Sequence, residues 1–190
     1  MLQRLTLSCV VVLATLASAG CGDSTSANQP SDGRRGNTIT TLGTPEVAGV
    51  DPSKASKMIC ESEVAEDIAR VVGFEHTVPL TPSWVDHNYS CDYVYEGGTM
   101  RLSVKELSSV DETTAYFDSL AETVGGRTFL ENVGEDAYST TTGSAVVRKD
   151  YKVLLVDVSG LPERFGQPVG SRGTIATAVA LAVLGCWIEN

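Results

Sequence analysis

Tyr89-Ser-Cys-Asp-Tyr-Val-Tyr-Glu-Gly97-Gly98-Thr-Met-Arg-Leu-Ser-Val-Lys-Glu106 holds two alternating runs on either side of a glycine pair. In the first run Cys91, Tyr93 and Tyr95 alternate with Ser90, Asp92 and Val94. In the second, Met100, Leu102 and Val104 alternate with Arg101, Ser103 and Lys105. Strand side chains point to opposite faces with a period of two, so each run buries one face and solvates the other. Gly97-Gly98 is a hairpin signal because glycine enters the positive-φ region that tight strand connections use. The stretch therefore predicts an antiparallel pair, residues 89–96 and 99–106, with one face on a core.

Upstream, Val64, Ile68, Val71 and Val72 recur at i, i+4, i+7 and i+8, and Glu61, Glu63, Glu66 and Asp67 fall early, where acidic side chains favour a helix N-terminus. A helix ending at Gly73 is expected, followed by a loop over residues 74–88. Downstream, Ser109-Val-Asp-Glu112 is a capping box: the serine hydroxyl can accept from the third helical amide while the glutamate reaches back to the cap. A second helix follows to Val124, with Tyr116, Phe117, Leu120 and Val124 on one stripe and Gly125-Gly126 as its stop.

Residues 127–131, 137–141, 144–149 and 152–159 read as further strands, separated by Gly134, Thr142-Gly143 and Asp150-Tyr151. The last carries the densest apolar run, Val153-Leu-Leu-Val156, and is expected at the centre of the sheet. From Ser171 a closing segment, apolar and small between Ile175 and Ile188, reads as a helix buried against the sheet. It is shorter than the roughly 20 residues a membrane span needs. The order α-ββ-α-βββ-α, with hairpins in place of alternating strands and helices, predicts an α+β fold: an antiparallel sheet of five to six strands packed with three helices.

At the N-terminus, Met1-Leu-Gln-Arg4 supplies a short basic start, residues 5–16 an almost unbroken apolar stretch, and Leu16-Ala-Ser-Ala-Gly-Cys21 a small-residue cleavage region. This is a secretory signal layout over residues 1–20, with an apolar part too short to span a bilayer. The Ser-Ala-Gly-Cys ending resembles the bacterial lipobox, with Ser18 where leucine is usual. That resemblance implies lipidation of Cys21 by diacylglycerol, cleavage on its amino side, and acyl chains of the palmitate type. Two chains suffice for stable anchoring because each buried methylene contributes ~0.8 kcal/mol. Residues 22–50 have no apolar periodicity and no aromatic residue, and cannot offset their ordering entropy. They read as a disordered tether spanning about 30 Å. The expected organisation is a signal peptide at 1–20, a lipidated N-terminus and tether at 21–50, and an extracytoplasmic domain at 51–190, held on the outer side of the cell membrane.

The chain is acidic, with a formal charge of -10, and residues 1–20 contain Arg4 but no Asp or Glu, so residues 21–190 are more negative still. Such a surface repels phosphate backbones, which excludes nucleic acid as a partner. Signals for chemistry are sparse. Asp86-His87 with Ser90 is a local cluster, whereas catalytic triads are assembled from distant segments, and no Gly-x-Ser-x-Gly is present. Glu135-Asp136 and Glu61 with Glu63 fit a solvated face or a helix cap. Residues 166–173 are glycine-rich before a helix but lack the Gly-Lys-Ser/Thr ending of a phosphate loop. His76, His87, Met58, Met100 and the cysteines are soft-metal donors without ligand spacing. No catalytic residue, metal site or cofactor is assigned. Arg148, Lys149 and Lys152 form one basic cluster at a strand turn. Trp84, His87, Tyr89, Tyr93 and Tyr95 crowd the loop and first strand, where they serve either as core or as a cleft for a lipid or glycan.

Cys9 leaves with the signal and Cys21 carries lipid, so Cys60, Cys91 and Cys186 belong to the domain; export favours a disulfide, and three cysteines leave one over. The residues alone leave the pairing open. Met58-Ile-Cys60, Tyr89-Ser-Cys91-Asp-Tyr93, Leu102-Ser-Val-Lys-Glu106, Val146-Val-Arg-Lys-Asp-Tyr-Lys-Val-Leu-Leu-Val-Asp-Val158 and Gly185-Cys-Trp187 together resemble a group of uncharacterised actinobacterial secreted lipoproteins, over residues 55–188. The resemblance implies an envelope address and a small domain similar to PsbP-like α/β/α sandwiches, without a chemistry. It also implies a Cys60–Cys91 disulfide, with Cys60–Cys186 as the competing pair. Cys186 sits in an apolar segment with no His, Lys or Arg within five residues, and as the leftover thiol it reads as a small buried apolar residue. The combined expectation is a lipid-anchored, non-enzymatic envelope module that binds a protein, lipid or glycan partner; an envelope hydrolase and a soft-metal-binding protein are the alternatives.

Overall fold

The structure, a computed structural model, describes residues 47–125 and 128–187. The helices are α1 (Lys54–Lys57), α2 (Ser62–Val72), α3 (Val110–Val124) and α4 (Arg172–Trp187), with a 3-10 turn, Met58–Cys60, between the first two. The strands are β1 (Ser83–Val85), β2 (Asn88–Tyr95), β3 (Gly98–Glu106), β4 (Thr128–Phe129), β5 (Asp136–Ser139), β6 (Ala145–Lys149), β7 (Lys152–Asp157), β8 (Arg164–Phe165) and β9 (Gly170–Ser171). Seven of them form one antiparallel sheet in the order β1-β2-β3-β7-β6-β5-β4, and β8 and β9 form a separate ribbon.

The α+β fold read from the sequence is the one found, and β7, the Val153–Val156 run, occupies the middle of the sheet. The element counts are corrected upward, to seven strands in the main sheet and four helices, because the additional pieces are short. β1 is three residues long. It is joined to β2 by Asp86-His87, whose φ values of 51° and 56° supply the two left-handed positions of a tight hairpin without a glycine. α1 is four residues long and capped by Ser53, whose hydroxyl accepts from Ser56 N. The β2–β3 connection also sits one residue earlier than expected: Tyr95 pairs with Gly98, so Glu96-Gly97 makes the turn. Gly98 is a glycine for another reason. Its φ is 148°, and a Cβ there would stand 2.2 Å from the carbonyl oxygen of Gly160.

Helix ends follow local rules. Ser109 Oγ accepts from Glu112 N at 3.1 Å, and the Glu112 carboxylate accepts from Ser108 N at 2.9 Å, one residue before the cap. Ser171 Oγ accepts from Thr174 N at 3.1 Å at the head of α4. α2 stops at Gly73, with φ 91° and its amide on the Ala69 carbonyl at 2.7 Å. A Cβ at Gly73 would lie 2.1 Å from Gln167 O. Gly73→Ala therefore combines the ~1–2 kcal/mol left-handed penalty with a backbone clash, and a loss above about 2 kcal/mol is expected in urea denaturation. Gly185→Ala in α4, where nothing lies within 4 Å of the added atom, is the control and is expected to be neutral or stabilising.

Cross-strand register sorts the two faces of the sheet. Tyr138, Val146, Val153 and Leu155 share one face and pack with Leu107 and Phe117 under α3. Cys91, Tyr93, Met100, Leu102, Val104, Leu154 and Val156 share the other, and all are buried. That side is covered by α1, the 3-10 turn and α4, with α2 packed on α4. The sheet is thus the middle of three layers. Ala176, Val179, Ala180 and Val183 of α4 are fully buried, as the closing apolar segment suggested. No helix among the described residues is long and apolar enough to cross a membrane.

On the opposite face of the sheet, Asp92 of β2 stands across from Arg101 of β3. There Arg101 grips Asp92 through two hydrogen bonds, Nε to Oδ1 at 2.6 Å and Nη2 to Oδ2 at 2.8 Å. This grip holds the Asp92 carboxyl below its ordinary range. A depressed folded-state value stabilises above the ordinary carboxylate range, and that stability is lost as pH falls through the depressed value. Because the pair is exposed, Asp92→Asn is expected to cost less than ~1 kcal/mol at neutral pH. The difference from wild type should shrink to nothing in urea titrations carried into the acid range.

The chain is already held at Ala48, whose amide donates to Leu107 O at 3.0 Å, and Trp84 Nε1 donates to Val50 O at 2.9 Å. The attachment begins ahead of the boundary at 51. The expected signal at 1–20, Cys21, the expected tether as far as 46, Gly126 of the second helix stop, Arg127 of the expected strand 127–131 and Ile188 of the closing segment lie outside the described residues.

Candidate functional site

Tyr89, Cys91, Tyr93 and Tyr95 leave β2 on one side, and each meets a different neighbour. Tyr89 pairs across the strands with Trp84, their rings 6.5 Å apart, and Trp84 also takes His87 edge-on at 5.7 Å. Burial, and to a lesser degree the charge of Glu61, push the Tyr89 hydroxyl up from its ordinary pKa. Tyr93 is fully buried; its hydroxyl donates to Ile59 O at 2.8 Å and its ring meets the edge of His76 at 5.5 Å. Tyr95 is buried between Phe74 and Phe165, at 5.6 and 5.3 Å. Desolvation raises the hydroxyl pKa of both. The five candidate cleft residues are therefore split. Trp84, His87 and Tyr89 form a cluster at the β1 edge with His87 exposed, while Tyr93 and Tyr95 belong to the core.

Cys91, between Tyr89 and Tyr93, is bonded to Cys60 with a Cα separation of 6.0 Å. Cys186 is a buried thiol outside any disulfide that donates to Asp67 Oδ2 at 3.8 Å, so the competing Cys60–Cys186 pair is not formed. The disulfide ties the 3-10 turn to the middle of β2 and fixes where α2 begins.

Beside that bond lies a cleft of about 370 Å³. After Gly73 reverses the chain, residues 74–80 return alongside α2, held by Thr77 N on the Val94 carbonyl at 2.7 Å. Ala65 and Ala69 from α2, with Leu80 and Cys60, form an apolar lining. Ser62, Glu66, Glu75 and His76 add polar groups. Ser62, Ala65, Glu66 and Ala69 fall at i, i+3, i+4 and i+7, one stripe of α2 next to the stripe that enters the core. Methyl side chains at 65 and 69 leave the gap that larger residues would close. His76 is held in place by the buried Tyr93 ring. A second depression, of about 550 Å³, lies on the other side of Glu75 between Phe74, Thr77, Glu96 and Gln167.

The remaining candidates do not converge. Asp86 and His87 make the β1–β2 turn, whose Asp86 carbonyl accepts from Lys105 Nζ, and Ser90 points to the face opposite Tyr89. Met58 and Met100 are buried, and His76 and His87 have separate aromatic partners. Among the described residues no three His, Cys, Asp or Glu side chains are grouped to hold a metal ion. The basic cluster is dispersed: Arg148 pairs with Glu135 at 3.2 Å, Lys149 with Asp150 at 3.2 Å, and Lys152 is buried. Of the cleft residues, only His76 and Cys60 carry a sequence signal for binding chemistry. Ala65 and Ala69 are visible as helix, but that residues 74–80 fold back over them is not. No family model, curated protein or solved structure matches the chain.

Proposed function

We propose that this chain is a lipid-anchored binding module on the extracytoplasmic face of the cell membrane, of the actinobacterial lipoprotein type, and that it acts without catalysis by presenting the α2 cleft to a ligand of the envelope. The observation that carries this reading is the cleft itself, preformed between a disulfide-pinned helix and a returning loop, on a chain whose N-terminal region ends in a lipobox-like Ser-Ala-Gly-Cys21. A preformed concavity with an apolar floor and a few placed polar groups is the usual form of a small-ligand site. The lipid at Cys21 restricts it to ligands at the membrane surface.

The test has two arms. In cells, Cys21→Ala should move the protein from the membrane fraction to the medium and abolish acyl-chain labelling. Native mass spectrometry of the protein exposed to envelope extracts should recover a bound small molecule that is lost when Ala69→Leu fills the cleft. Membrane retention of the Cys21→Ala protein removes the anchor from the reading. Turnover of an ester, peptide or glycoside by the purified protein, abolished by His87→Ala, replaces the binding module with a hydrolase.

A further inference from the structure

We infer that the α2 cleft takes a small organic cation, a protonated amine carried on an apolar body. This rests on the binding role proposed above and adds the chemical class of its ligand. The polarity of the site is one-sided. Of the residues that line it, Glu66 and Glu75 are charged and none is Lys or Arg. Among the described residues neither carboxylate has an ion-pair or hydrogen-bond partner. The one basic residue of α2, Arg70, is paired with Asp67. The formal charge of -10 on the whole chain adds a field of the same sign. Among the charged side chains that line the cleft an anion meets only its own sign, whereas a cation supplies the charge both glutamates lack.

The rest of the ligand is set by the floor. Ala65, Ala69, Leu80 and the sulfur of Cys60 offer no charge, so the part that enters must be apolar, and its burial contributes the larger share of affinity. A volume of about 370 Å³ corresponds to roughly a dozen water volumes at ~30 Å³ each, which suits an arylalkylamine better than a bare metal or ammonium ion. The wall is rigid, since the His76 ring rests on a tyrosine with no exposed surface and Cys60 is fixed by its bond to Cys91. Little ordering is required on binding.

The experiment uses the full chain from Cys21 onward, secreted as the Cys21→Ser form, and compares three compounds of matched size: 2-phenylethylamine, 2-phenylethanol and 3-phenylpropionate. Binding is followed by amide chemical shifts. The amine should saturate and shift amides of residues 62–80, with the alcohol weaker and the carboxylate weaker still. The double substitution Glu66→Gln with Glu75→Gln should weaken the amine about tenfold, and added salt should weaken it in the same sense. Ala69→Leu should abolish binding. Both glutamates are exposed, so their substitution reports on binding even if Ala69→Leu lowers stability. Equal binding of amine and carboxylate, or amine binding unchanged by the double substitution, overturns the cation. No saturable shift at 62–80 with any of the three overturns the ligand class. In either case, a different molecule recovered from envelope extracts and lost on Ala69→Leu leaves the binding module standing.

Discussion

Replacing Cys60 and Cys91 together with alanine is expected to lower stability by about 3 to 4 kcal/mol, because the bond closes a loop of 31 residues and removes that freedom from the unfolded chain. For a domain of this size the loss corresponds to a fall of roughly 10 °C in the melting midpoint. The position of the bond adds to its importance. It fastens the 3-10 turn over the middle of β2, where Ile59 is fully buried and its carbonyl accepts the buried Tyr93 hydroxyl. Chemical denaturation of the double variant beside wild type gives the value directly. Cys186→Ala, which touches no disulfide, should lose far less than the pair. A double variant within about 1 kcal/mol of wild type would mean that packing of the turn alone holds α2 in place. Because Cys60 lines the cleft, the double variant should also bind 2-phenylethylamine more weakly than wild type.

Glu106→Ala should lose about 2 to 4 kcal/mol, the second largest effect of those considered. Glu106 closes β3 on the helix-covered face and is only 2% exposed. Its Oε1 accepts from Ser53 N at 2.8 Å and from the Ser56 hydroxyl, so a carboxylate from the sheet caps the head of α1. Truncation leaves a buried amide and a buried hydroxyl with a lost partner and opens a hole beside Lys152, which stands opposite Glu106 in the register. Glu106→Gln keeps an acceptor oxygen and should recover much of the loss. If alanine and glutamine are equally harmful, charge on the side chain matters more than acceptance. Hydrogen exchange gives a local readout, since amides of residues 53–57 should lose protection in Glu106→Ala before the central strands do.

These two sites differ in how far sequence reveals them. Three cysteines in a chain expected to be exported point to a disulfide, and the resemblance read from its motifs favours Cys60–Cys91, but the Cα distance that permits the bond exists only once the 3-10 turn and β2 are brought together. Glu106 is legible only by parity: it follows Met100, Leu102 and Val104 onto the buried face of the strand. What receives a carboxylate there is not, because its partners lie on and before α1, a four-residue helix too short to leave a periodic trace. The aromatic row shows the same limit. Tyr89, Tyr93 and Tyr95 share one alternation, yet their burial differs with what lies over each: Trp84 and Glu61 at one end, His76 in the middle, Phe74 and Phe165 at the other.

Residues alone settle whatever local periodicity and local capping decide. The alternation of 89–106 dictates a two-faced hairpin, the Val153–Val156 run dictates a strand buried on both sides, and Ser109 with Glu112 dictates the start of α3. These signals are short-range, so they survive without knowledge of the fold. The tight Asp86-His87 turn, the carboxylate cap of Glu106 and the cleft beside α2 come from segments distant in the chain or from uncommon turn residues. Ala65 and Ala69 mark a cleft only because Gly73 turns residues 74–80 back beside them and a disulfide holds the helix where they pass. Tertiary structure made that choice, since an empty volume is defined by the surfaces on both sides of it and no single stretch of sequence contains both.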